Sequence, residues 1–100
     1  MKADFDSEAN ALLIDLIGVG RCDDAVEIDD TYCHAALWKG RVATIELLDP
    51  ADHLDLLKQA AGRLELDSEA LIAAAQAALA APDRPVTVEV AASAASAAAA

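Results

Sequence analysis

Few side chains in this sequence have the chemistry to bind a metal or move a proton. Cys22, Cys33 and His34 could offer soft donors to zinc. Structural zinc sites use four donors in closely spaced pairs, whereas here Cys22 follows a glycine-containing loop and Cys33 is succeeded at once by the histidine. Consecutive strand residues point to opposite faces, so Cys33 and His34 diverge. Cys33 reads as a small buried thiol. A second group, Asp15, Glu27, His34, Thr44 and Glu46, sets carboxylates on both sides of an imidazole. Such a group could hold a metal or transfer a proton. It reads equally well as the solvated side of a sheet whose other side is buried. Nucleophile motifs are missing: Ser7 and Ser68 lie in turn and cap contexts, Ser93 and Ser96 in an alanine run. None has the Gly-x-Ser-x-Gly setting. Gly18-Val19-Gly20 lacks the third glycine of a dinucleotide fingerprint and leads toward a strand. His53 reads as a solvent-exposed residue on a first helical turn. No cofactor or metal is expected.

The elements that must position these residues fit one domain. The chain has 100 residues, of which 56% are hydrophobic, but 26 of those are alanine. The larger apolar residues suffice for one modest core at a size where folded chains are marginally stable. A net charge of −11 disfavours a surface that tracks phosphates, so direct nucleic-acid binding is not expected. No apolar stretch reaches the roughly 20 residues of a membrane span. Two cysteines and a start without a signal-like apolar segment lead to the expectation of a cytoplasmic protein with reduced thiols.

Residues 1–49 hold every aromatic residue and read as short strands; residues 50–81 read as a helical pair. The expectation is an α+β domain over residues 1–90, an antiparallel β-meander of four to five short strands followed by two helices and a C-terminal strand at 85–90. Ala11–Ile17 alternates most clearly, with Leu12, Ile14 and Leu16 on one side and Leu13, Asp15 and Ile17 on the other. Asp6–Asn10 supplies turn residues before it. At the hairpin near Gly40, a two-residue loop would put Lys39 at positive φ, where a long side chain is disfavoured. A three-residue loop needs only Gly40 there, with Trp38 and Lys39 in the turn. That register sets Cys33, Ala35 and Leu37 beside Ala43, Ile45 and Leu47. It sends Tyr32, His34, Ala36, Val42, Thr44 and Glu46 to the opposite side.

Asp49-Pro50 predicts an N-cap with proline at the first helical position. Leu54, Leu57, Ala61 and Leu64 recur at helical spacing, and Gly62 is expected to end or fray that helix. Asp67-Ser68-Glu69 predicts a second start, and Leu71, Ile72, Ala75 and Leu79 are the inward positions expected before Pro82. Val86, Val88 and Val90 alternate as a last strand. Residues 91–100, all Ala and Ser, read as a disordered tail.

Three segments carry a family resemblance. They are Phe5–Leu16 (Phe-Asp-Ser-Glu-Ala-Asn-Ala-Leu-Leu-Ile-Asp-Leu), Glu27-Ile28-Asp29-Asp30, and Gly40-Arg41-Val42 with Ile45–Asp49. In order and spacing, residues 2–50 resemble a family of small bacterial proteins catalogued as domain of unknown function 2283. Phe5 and Leu13 stand where that family usually has tyrosines, and Thr44 where a glycine is common. The resemblance implies a small antiparallel sheet, and an antitoxin-like partnership with a small toxin-like protein.

The second side of the sheet is richer in apolar residues than a solvated face requires. Leu13, Ile17, Tyr32, Val42 and Leu48 share it, and Trp38 sits at a turn tip. With the nearly uncharged helix at 70–81, they form a candidate interface. The reading is a non-catalytic homodimeric protein-interaction or regulatory module, antitoxin-like, whose acidity suits a basic protein partner. The alternative is a small enzyme, or a ligand- or metal-binding protein, using the polar group on the sheet.

Overall fold

A computed structural model describes residues 1–88. Six antiparallel strands form one sheet: β1 (Lys2–Asp6), β2 (Ala11–Asp15), β3 (Asp24–Asp29), β4 (Cys33–Trp38), β5 (Arg41–Leu48) and β6 (Pro85–Thr87). Two helices, α1 (Leu54–Leu64) and α2 (Ser68–Ala80), separate β5 from β6. The fold is α+β. Across the sheet the order is β3-β4-β5-β2-β1-β6. The β1–β2 hairpin is thus set beside a β3–β4–β5 meander, and β2 pairs with β5 rather than with β3. The expected tail at 91–100, and the end of the expected strand beyond Val88, lie outside the described residues.

Local chemistry explains where the strands stop. β2 ends at Asp15 and not at Ile17, because the Asp15 carboxylate accepts the Gly18 N–H at 2.7 Å and turns the chain. The segment that follows passes the β4–β5 hairpin. Leu16 N–H donates to the Ala43 carbonyl at 2.8 Å, and Asp23 N–H to the Leu37 carbonyl at 2.9 Å. The hairpin itself departs from expectation. Trp38 pairs with Arg41, so the loop has two residues, with Lys39 at φ 51° and Gly40 at φ 80°. Those signs give the primed turn whose twist matches the strands. The strained Lys39 is held by its N–H, which donates to the Asp23 carboxylate at 3.2 Å. The extra residue falls instead between Val42 and Thr44, where the register shifts past Ala43. Beyond that bulge Cys33 faces Leu47 and Ala35 faces Ile45, the expected partners reached by another route.

The core lies wholly on one side of the sheet. Leu12, Ile14, Cys33, Ile45 and Leu47 are fully buried against Leu57 and Leu71 of the helices. Burying a leucine contributes about 1.5–3 kcal/mol. α1 covers β3, β4 and β5, and α2 covers β1, β2 and β6, so the two together roof one side of the sheet. In α2 the buried face is Leu71, Ala74, Ala75 and Ala78, whereas Ile72 and Leu79, expected inside, are half-buried. Alanines there let the helix backbone lie close to its neighbours. Asp67 caps α2 as expected, accepting the N–H groups of Glu69 at 3.0 Å and Ala70 at 3.2 Å.

The start of α1 is not as expected. Asp49 adopts a left-handed conformation without capping, Pro50–Asp52 form a single 3₁₀ turn, and the α-helix begins at Leu54. His53 is not a free surface residue. Its ring stacks on Tyr32 with centroids 4.0 Å apart, and its Nδ1 lies 2.8 Å from the Asp49 carbonyl. Gly62 does not end α1, which runs on to Leu64 and closes at Glu65 in the left-handed region. A Cβ at Gly62 meets no atom within 4 Å. Gly62→Ala should therefore raise the unfolding free energy by about 0.5–1 kcal/mol in urea titration, through the backbone freedom that glycine loses in a helix. No change, or a loss, would mean that the helix breaks at that position.

Candidate functional site

Among the described residues, the side of the sheet opposite the helices is bare, and the polar residues singled out from the sequence stand on it. Strand pairing places them in two rows across the strands. One row runs Glu27, His34, Glu46, Leu13, Asp4, from β3 to β1. The next runs Ala25, Ala36, Thr44, Asp15, Lys2. All five candidate polar residues thus share one surface, with Asp15 beside Thr44 in the second row. His34 Nε2 and Glu46 Oε1 are 3.2 Å apart, and both side chains are about half exposed, at 39% and 45%. Water screens a pair in that setting, so it contributes at most about 1 kcal/mol.

The second row explains the shape of the surface. Ala25, Ala36 and Thr44 are short, so they leave an open depression of about 670 Å³, rimmed by Glu27, His34, Glu46 and Leu13. A second depression of about 560 Å³ adjoins it, sharing Leu13 and Glu46 and edged by Asp4, Asp6 and Asp83. Leu13, 44% exposed, stands where the two meet. Among the described residues, no three His, Cys, Asp or Glu side chains come together as a metal would require. None of the described helices is long and apolar enough to cross a membrane.

The six expected interface residues do not form one patch. Leu13 lies at the centre of the bare face, and Leu48, half-buried, lies on the same side, opposite Ala11 on β2. Tyr32 precedes β4 instead of belonging to it, and its ring is engaged by His53. Trp38 ends β4 instead of tipping the turn, and is half-buried with Arg21 and Lys39 cations 5.2 and 5.3 Å from its ring. Ile17 lies past the end of β2, in the segment leading to β3. Val42, expected on the mixed side, packs against the core, since the register shift beside it re-aims the strand. The sequence reading missed Asp4. Pairing β1 with β2 across the Asp6–Asn10 turn would have found it, since Asp4 faces Leu13 directly.

Two carboxylates fix the turns around this surface. Asp29 Oδ2 accepts the N–H groups of Tyr32 at 2.8 Å and Thr31 at 3.0 Å, which hold its carboxyl below the ordinary 3.8. Asp83 accepts the Ser7 hydroxyl at 2.7 Å and the Ser7 N–H at 2.8 Å, which likewise lower it. This second pair ties the loop after α2 to the β1–β2 turn. Cys33 is buried, and desolvation pushes its thiol up to about 11. No family model, curated protein sequence or solved structure matches the chain.

Two outcomes follow. A carboxyl lowered by folding stabilises the native state above its unfolded pKa, and this contribution is lost as pH falls through the folded value. Asp83→Asn should thus unfold more readily than the parent at neutral pH, and the two should converge as the pH falls through the folded value, which lies below 3.8. A gap that persists in acid would refute the ionic role of Asp83. In thiol titration of the native protein at neutral pH, exposed Cys22 should react and Cys33 should not until denaturant is added. Equal reactivity would show that β4 is not buried as described.

Proposed function

We propose that this chain is a non-catalytic protein-interaction module whose docking surface is the bare side of the sheet. The observation that carries this reading is the pair of adjoining depressions centred on exposed Leu13, floored by short side chains and left uncovered by either helix. An antiparallel sheet tolerates water on one side, but a broad concave surface with an apolar centre and a polar rim is also the anatomy of an interface. Catalysis has weaker support. The His34–Glu46 pair lies on an open surface with nothing among the described residues to exclude water, and acid–base groups in enzymes are usually tuned by burial. A regulatory, antitoxin-like role is the specific form that the family resemblance of residues 2–50 suggests. Self-association as a homodimer and capture of a basic protein are the two forms of interaction this surface could support.

The test is native mass spectrometry of the chain isolated from its own cells, beside the Ala36→Glu variant. Ala36 lies on the floor of the larger depression, on the side of the sheet away from the core, so glutamate there obstructs docking and leaves the core intact. The expected result is a complex heavier than the 10.3 kDa chain, either a dimer or a pairing with another protein, that Ala36→Glu weakens about tenfold or more. A chain that carries only a small molecule or metal, or one whose complex ignores Ala36→Glu, would contradict the reading.

A further inference from the structure

The charge pattern of the bare sheet face narrows what it can dock. Asp4, Asp6, Asp15, Glu27 and Glu46 share that side, opposed by Lys2, His34 and, at the far end of the face beside Trp38, Arg41. Two copies docked by this face would bring these carboxylates against one another, at a cost that falls only with salt. The order within the row is more specific. Leu13 stands directly between Asp4 on β1 and Glu46 on β5, each one strand away, or about 5 Å. An apolar side chain is thus flanked on both sides by carboxylates, in a surface that is concave on either side of it.

We propose that this face takes an extended segment of a partner protein in which an aliphatic residue is flanked on both sides by Lys or Arg. This rests on the interaction reading above and specifies its partner. In an extended segment, alternate residues share one side at a spacing of about 6.8 Å. A pattern of cation, any residue, aliphatic, any residue, cation therefore presents its three recognition groups together. The long stems of Lys or Arg span the difference between that spacing and the strand separation. The aliphatic group rests on Leu13 and the cations meet Asp4 and Glu46.

The experiment is fluorescence anisotropy with a labelled Lys-Ser-Leu-Ser-Lys peptide. The controls are the Glu-Ser-Leu-Ser-Glu peptide and the Lys-Ser-Ser-Ser-Lys peptide. The full chain is compared with Leu13→Ser and with the double variant Asp4→Asn/Glu46→Gln. All three positions lie on the bare side, so circular dichroism should show the folds unchanged. The Lys-Ser-Leu-Ser-Lys peptide should bind best, and added salt should weaken it. Binding should fall about three- to tenfold in each variant, the range expected for losing surface contacts of this kind. Equal binding of the acidic peptide, indifference to the three substitutions, or no binding of the cationic peptide would each overturn the proposal. In the last case, a dimer seen by sedimentation and weakened by Ala36→Glu would leave the interaction reading standing, with a second copy as the occupant.

Discussion

The apolar seam between sheet and helices organises everything else in this molecule. Leu12 and Ile14 of β2, together with Ile45 and Leu47 of β5, are fully buried beneath Leu57 and Leu71. Because β2 and β5 are neighbours, the two parts of the sheet meet at the centre of this seam. α1 covers the meander and α2 covers the hairpin and β6, so both helices are spent on the same side. In a chain this small no further element remains among the described residues to cover the other side.

That asymmetry makes the bare face the place to look for function, and the large aromatic side chains are already engaged within the chain. Trp38, the largest side chain, is flanked by Arg21 and Lys39, and Tyr32 stacks on His53. The edge strand β3 carries Asp24, Glu27 and Asp29, has a register shift at Ile28, and has its Ile28 carbonyl engaged by Arg63 at 3.2 Å. Charges and irregularities of this kind discourage strand-to-strand pairing at an edge. Among the described residues the face around Leu13 has no such protection, and its floor of alanine and threonine leaves an open depression.

Much of this was legible in the residues. The alternation of Leu12, Leu13, Ile14 and Asp15 fixed which side of β2 is buried, and the Asp67 cap marked the start of α2. The same parity put Asp15, Glu27, His34, Thr44 and Glu46 on one surface. What escaped depends on partners distant in sequence. Strand order is set by the passage of residues 16–23 past the β4–β5 hairpin, and without it Glu46 could not be placed beside Leu13. The two-residue turn at Lys39 is tolerated because Asp23 reaches its N–H from another element. The choice of Ala74 and Ala78 over Ile72 and Leu79 as the inner face of α2 is likewise a packing outcome. A helix rich in alanine has little amphipathic signal to announce it.

Burial of one side of the sheet by both helices, with the other side left open, can be tested on methyl groups directly. A soluble gadolinium chelate added to the isotopically labelled chain, dilute and free of any partner, relaxes the methyls that solvent reaches. Leu13 should relax strongly while its neighbours Leu12 and Ile14, and Leu47 across the strand, stay protected. Protection of Leu13 equal to that of Leu12 would mean that the face is covered and that the sheet has no open side.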